Sequence, residues 1–157
     1  MYKDYFRTLK ILDGGLGQEL LSRGLKTKGT LWSASALIDK KYHELLIKTH
    51  LDFIEAGADV ITTNTFATRR IRLEENKVLN LFKKLNELAG KLAIKARNLS
   101  NKKVLIAGSL PPQNSTYLAD TRDRKKIEKD FISQAELISE FSDFFYLDVL
   151  SSIKEIE

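Results

Sequence analysis

Apolar and polar residues alternate along this chain in two different rhythms, and the rhythms take turns. A short run, Thr8-Leu9-Lys10-Ile11-Leu12, reads as a strand that stops at Asp13-Gly14-Gly15-Leu16-Gly17. Gln18 to Arg23 reads as a short helix halted by Gly24, and Lys26 to Thr30 is polar and glycine-punctuated, hence loop. The mixed run Trp32 to Ile38 leads to Asp39, an N-cap for a helix running through Ala56 and stopped by Gly57. On that helix Leu46, Phe53 and Ile54 share one face with His50, which favours packing over ligation for this histidine.

Asp59-Val60-Ile61-Thr62-Thr63 is β-branched, as buried strands are, and ends in Asn64-Thr65-Phe66. Leu73 to Leu99 carries a long helical stripe through Val78, Leu81, Leu85, Leu88 and Leu92. Val104 to Ala107 predicts a third strand, ending in Gly108-Ser109-Leu110-Pro111-Pro112, with both prolines in the loop beyond it. Arg122 to Phe141 predicts a helix with Ile127, Phe131, Ala135 and Ile138 on one face. Phe144 to Leu147 predicts a fourth strand closed by Asp148, and Ser151-Ser152 caps a last helix from Ile153 to Glu157.

The order βαβαβαβ predicts one α/β unit, residues 1–157, with a parallel sheet and helices packed outside it. Two parallel architectures compete. A doubly wound dinucleotide fold would use Gly15-Leu16-Gly17 as its phosphate loop. That fingerprint needs a further glycine where this chain has Leu20, and Asp13 would set a negative charge beside the pyrophosphate. A (β/α)8 TIM-type barrel is favoured instead, because each expected strand ends in a polar group: Asp13, Asn64, Ser109 and Asp148. Barrel sites are assembled from several strand ends in this way. A barrel typically needs about 250 residues, so the expectation is a barrel cut to about four βα units. Taken alone, the Asp13-Gly14-Gly15 turn remains open between a cap and a site.

Composition narrows the chemistry. The 157 residues are 43% hydrophobic and 30% charged, which suits one globular domain with a real core. No apolar run approaches the ~18 residues of a membrane span, and Met1 to Leu9 lacks the apolar core of a secretory signal. The chain has no cysteine, which removes disulfides, thiolate metal ligands and thiol catalysis and is in keeping with a cytoplasmic protein. The net charge of +5 comes from basic residues interspersed with acidic ones, the pattern of solvated helix faces, so neither nucleic acid nor membrane is expected as a partner.

Assembled in order, the strand-end motifs resemble the homocysteine S-methyltransferase family. The matching segments are Ile11 to Gly15 with Gly17 and Glu19, Leu31 to Ala34, His50 to Asp52, and Ala56 to Phe66. Ala107 to Pro112 with Tyr117, Tyr146 to Asp148, and Ser151 to Glu155 complete the set. The resemblance spans nearly the whole chain but only the first half of the family's domain. It implies a barrel that binds homocysteine at the carboxyl ends of its strands and moves a methyl group from a donor onto the sulfur, forming methionine.

Carried over residue by residue, the resemblance places Asp13 and Asp148 around the amino acid, with backbone N–H groups at Gly14 and Gly15 for its carboxylate. Asn64, Thr65 and Ser109 complete the expected substrate-binding set. The fourth-strand position is commonly glutamate in the family, so Asp148 is one methylene shorter. The position of Trp32 contributes in betaine users to an aromatic cage for the cationic donor, where each aromatic contact is worth about 0.5–2 kcal/mol, the alternative being a core or loop anchor. Betaine users place an aromatic residue where this chain has Ala67, so S-methylmethionine or another sulfonium ranks first as donor. The complete family domain holds zinc through cysteines late in the barrel. With none here, no zinc and no enzymatic methyl transfer are expected of this chain alone. The alternative is a non-enzymatic half-barrel serving as a ligand-binding or assembly module. In either case, exposed strand edges favour a homo-oligomer.

Overall fold

The computed structural model describes residues 3–156. After a 3-10 turn at Tyr5–Arg7 the chain forms α1 (Leu16–Ser22), a 3-10 turn at Trp32–Ala34, α2 (Ser35–Ile38) and α3 (His43–Glu55). It continues through β1 (Val60–Thr62), α4 (Arg70–Glu75), α5 (Phe82–Ser100), β2 (Leu105–Leu110), α6 (Arg124–Ile138) and β3 (Phe144–Leu147). The three strands form one parallel sheet in the order β1-β2-β3, with Val60 opposite Leu105 and Ala107 opposite Phe144. Helices connect each strand to the next, as parallel pairing requires.

The expected first strand at Thr8–Leu12 is a correction. It contributes a single bridge, Leu12 to Val60. The Asp59 and Val60 N–H groups both donate to the Ile11 carbonyl, at 2.8 and 3.2 Å, and the Asp13 N–H donates to the Val60 carbonyl at 2.9 Å. The Ile11 N–H goes instead to the Asp59 carboxylate at 2.9 Å. Leu9 is 91% and Ile11 55% exposed, so no apolar burial holds a longer strand against the edge of β1. The segment nevertheless runs alongside β1 and delivers Asp13 to its carboxyl end.

The long helix expected from Leu73 to Leu99 is also corrected, to two helices. The Asn76 side chain donates to the Arg72 carbonyl at 2.8 Å and to Thr30 Oγ1 at 2.8 Å. Lys77 then turns through the left-handed region (φ +59°), and a 3-10 turn at Leu79–Leu81 precedes α5. The leucine stripe concealed this break because Val78 and Leu81 still pack on the core beside Leu85. Three smaller boundaries move. β2 runs from Leu105 to Leu110, a shift from the expected Val104 to Ala107 that takes in Gly108, Ser109 and Leu110. Helix α6 starts at Arg124, with Asp123 as N-cap accepting from the Lys125 N–H at 3.0 Å. The last helix is a 3-10 turn at Ile153–Glu155, and the expected end at Glu157 lies outside the described residues.

The core sits between the helices and the sheet. Leu46 and Ile47 of α3 pack with Leu85, Ala89 and Leu92 of α5, and Leu20 and Leu37 close the cluster. Ile54, Ile61, Ala93 and Ile106 form a second cluster under β1 and β2. A buried polar network ties the helices to the loop after β1. Gln134 Nε2 donates to the Thr65 carbonyl (2.9 Å) and Asn86 Oδ1 (3.1 Å), and its Oε1 accepts from Gln113 (2.8 Å). Thr68 Oγ1 donates to Asn86 Oδ1 at 2.7 Å. Because buried amides are costly unless paired, this network fixes α6 against α5 and holds the post-β1 loop in one shape.

Candidate functional site

The carboxyl ends of the three strands and the turn after Asp13 open into a cavity of about 470 Å³, within the range of small-molecule sites. Gly14 to Gly17, Trp32, Ser33, Thr62 to Asn64, Ser109 and Asp148 line it. Six of the eight residues expected to bind substrate therefore meet at one surface: Gly14, Gly15, Trp32, Asn64, Ser109 and Asp148. Asp13 and Thr65 stand behind that wall. Thr65 is fully buried, its hydroxyl donating to the Ser109 carbonyl at 2.7 Å, so it braces β2 against the post-β1 loop. Asn64 Nδ2 donates to the Ser33 carbonyl at 3.0 Å, which pins the Trp32 segment to the end of β1.

Asp13 is held by its neighbour strand. Its Oδ2 accepts from the Thr62 N–H at 2.8 Å, and the Thr62 hydroxyl reaches both carboxylate oxygens at 3.1 and 3.2 Å. Burial raises its pKa to about 7; the Thr62 hydrogen bonds pull the other way, and the Asp148 charge adds to the rise. Asp148 lines the cavity, accepts from Ser109 Oγ at 2.8 Å, and is itself raised by burial against that hydrogen bond. Two carboxyl groups that feel one another at one end of the cavity, Asp148 on its wall and Asp13 behind it, make a site that favours a cation.

Trp32 is the aromatic wall. It sits in the left-handed region (φ +44°), a strained conformation for a bulky residue, and its ring meets Phe66 edge-to-face at 6.0 Å. Gly17 is what allows this, since a Cβ there would fall inside the indole. The helix glycine thus serves the cavity rather than the helix.

Sequence reasoning missed Arg69, Arg72, Thr30 and Thr116, all of which line the cavity. Arg69 is 1% exposed, whereas Arg70 beside it lies over the Phe82 ring at 4.2 Å and donates to Ser133 Oγ at 3.1 Å. Two adjacent arginines look alike in a sequence; only the turn into α4 decides which one points inward.

This constellation can be set beside known proteins. The family model described as homocysteine S-methyltransferase matches residues 10–157. The chain belongs to the homocysteine S-methyltransferase family. The homocysteine S-methyltransferase of Escherichia coli is 36% identical over 119 residues, covering 70% of this chain and 37% of that protein. Homocysteine S-methyltransferase 1 of Arabidopsis thaliana is 32% identical over 124 residues, again covering 70% of this chain and 36% of the relative. The chain thus spans a little over a third of each. The metallated form of the homocysteine methyltransferase MmuM from Escherichia coli superposes with a TM-score of 0.84 at 25% identity, over 99% of this chain and 59% of that one.

The metallated relative raises the question of a metal here. Among the described residues no three His, Cys, Asp or Glu side chains cluster as a metal site, and the chain has no cysteine to supply a thiolate. His43 Nε2 is hydrogen-bonded to the Leu37 carbonyl at 3.1 Å, and His50 is sealed in the core at 0% exposure. The donors in this homocysteine S-methyltransferase family chain do not fit a zinc site. No helix among the described residues is long and apolar enough to cross a membrane.

Proposed function

We propose that the cavity is the amino-acid half of a homocysteine S-methyltransferase site, and that residues 1–157 correspond to the first four βα units of a (β/α)8 barrel. The reading rests on one observation above all: Asp148 lines the cavity at the end of β3, within electrostatic reach of the buried Asp13 at the end of the segment beside β1. Asp148 takes the α-ammonium group of homocysteine directly. Asp13, turned onto Thr62, adds negative potential from behind the wall, so it acts as a positioning and field-setting group rather than a contact. The backbone of Gly14 and Gly15 faces the substrate carboxylate.

Trp32 packs beside a cationic methyl donor such as S-methylmethionine, by the attraction between a cation and an aromatic face. In the complete reaction the homocysteine thiolate attacks the donor's methyl carbon, the carbon–sulfonium bond breaks, and its electron pair stays on the departing sulfur. The thiolate is the step this chain does not supply. A thiol with pKa ~8.5 is only a few per cent ionised at pH 7, and no side chain in the cavity provides thiolate-type zinc ligation. We infer binding without efficient turnover for residues 1–157 alone, in the cytoplasm. The edge strand β3, with Phe145 and Leu147 more than 40% exposed, favours pairing with a second copy.

The test is a titration of the chain with L-homocysteine, read by the fluorescence of Trp32, the sole tryptophan. Saturable quenching that Asp148→Asn weakens about 10-fold or more supports the reading. No response to homocysteine refutes it. Methionine formation from S-methylmethionine at enzymatic rates would overturn the inference of binding without turnover.

A further inference from the structure

The cavity holds a charged group that the homocysteine reading leaves without a task. Arg69 lines the cavity yet is 1% exposed. Its Nη1 donates to the Phe66 carbonyl at 3.3 Å and its Nη2 to Thr116 Oγ1 at 3.0 Å, while the buried Nε has no partner among the described residues. None of its hydrogen-bond partners is a carboxylate. Glu75 acts on it only through space and is itself bonded to Arg72 at 3.0 Å. A second guanidinium, that of Arg72, lines the same cavity.

Burying a guanidinium without an anion is costly, and removing the anion from such a pair normally destabilises a protein strongly. The guanidinium has five donors in a planar fork whose geometry matches a carboxylate. Neutral acceptors satisfy two of its nitrogens here and leave the third without a partner. Arg69, on the cavity wall with its Nε unpartnered among the described residues, therefore keeps the capacity to bind an anion. The two cavity poles use separate hydrogen-bond systems: Asp148 through Ser109, Arg69 through Phe66 and Thr116. A zwitterion matches both signs at once.

We propose that Arg69 is a carboxylate-binding residue of this cavity, receiving the carboxylate of a zwitterionic methyl donor, or that of homocysteine in place of the Gly14 and Gly15 backbone. The proposal deepens the homocysteine S-methyltransferase reading and rests on it for the identity of the ligand, though not for the chemistry of the site. Arg69 sets specificity: it selects amino acids over amines of the same shape.

The experiment is a Trp32 fluorescence titration of the whole chain with two matched ligand pairs and a plain carboxylate. The pairs are L-homocysteine against 3-aminopropanethiol, and S-methylmethionine against (3-aminopropyl)dimethylsulfonium; the plain carboxylate is propionate. The unaltered chain is expected to prefer the carboxylate member of one pair by about 10- to 100-fold, the value of a charge-assisted bidentate contact. Arg69→Gln should abolish that preference while leaving the decarboxylated member's affinity unchanged. Arg69→Lys, which keeps the charge and loses the fork, should retain a fraction of it. The pair that shows the Arg69-dependent gap names the source of the carboxylate. If R69Q does not fold by circular dichroism, the matched pairs in the unaltered chain and in R69K decide.

Equal affinity within both pairs overturns the carboxylate site and leaves the homocysteine reading standing. Binding of propionate that depends on Arg69, with no response to any amino acid, supports the site and removes the homocysteine reading. Absence of an Arg69-dependent response to every carboxylate overturns the proposal.

Discussion

Replacing Asp13 by Asn tests whether this fold sacrifices stability to keep a carboxyl group behind the cavity. The folded chain holds that carboxyl at a pKa of about 7, raised from 3.8 chiefly by burial. In the unfolded chain it ionises near its ordinary value. Between those limits the folded state retains a proton that the unfolded state has released. Stability from this group is therefore whole below about pH 4 and is lost as pH rises toward 7. At 1.36 kcal/mol per unit, the loss in going from pH 5 to pH 8 is about 3 kcal/mol. An asparagine keeps an acceptor for the Thr62 N–H and does not titrate. Urea denaturation at a series of pH values, with the unaltered chain and D13N compared at each, isolates this group, with its coupling to Asp148, from the remaining carboxylates. The difference in unfolding free energy should move toward D13N by about 3 kcal/mol from pH 5 to pH 8. A difference that stays flat, or moves the other way, refutes the account of Asp13 as a buried, desolvated acid.

Three further outcomes are expected. His50, sealed in the core with no partner for either ring nitrogen among the described residues, has its pKa lowered to about 4 by burial. Its stability contribution is full above about pH 6.5 and is lost as pH falls toward 4, so His50→Leu should flatten that acid limb by about 3 kcal/mol in thermal or urea melts. Gly17→Ala puts a methyl group into the Trp32 indole; it should cost about 1–3 kcal/mol and shift the tryptophan emission, whereas Gly15→Ala, whose added Cβ meets only Gln18 at ordinary contact distance, should leave the emission unchanged. Asp148→Asn retains an acceptor for Ser109 and removes the charge. Homocysteine affinity measured by calorimetry should fall about 10- to 100-fold with little change in melting temperature.

Much of the architecture was legible in the residues. The β-branched run Val60 to Thr62 and the apolar stripes of α3, α5 and α6 follow directly from burial on one face. The boundaries that moved did so for tertiary reasons. Leu9 and Ile11 have the composition of a strand, but both stay largely exposed, so the ladder stops after one bridge. The break before α5 depends on Asn76 reaching Thr30, a contact between residues far apart in the chain that no periodicity records. At the site, Gly14, Gly15, Asn64, Ser109 and Asp148 announced themselves as polar groups or glycines at the ends of expected strands. Asp13 was equally visible, but its rotation onto Thr62 was not, because the choice between facing a ligand and facing a neighbour's N–H is made by geometry. Arg69 carried no local signal at all.

The amide network around Gln134 has a consequence for dissecting the chain. Helix α6 has no residue on the cavity wall, yet Gln134 supplies the donor for the Thr65 carbonyl and for Asn86, directly behind that wall. A piece ending before residue 124 would contain every cavity-lining residue except Asp148 and Val149, and would still lose the Gln134 donor to each of those acceptors, leaving only Thr68 among the described residues to serve them. A unit that presents this surface must therefore keep what stands behind the pocket as well as the wall itself, and it runs through Gln134 to Val149.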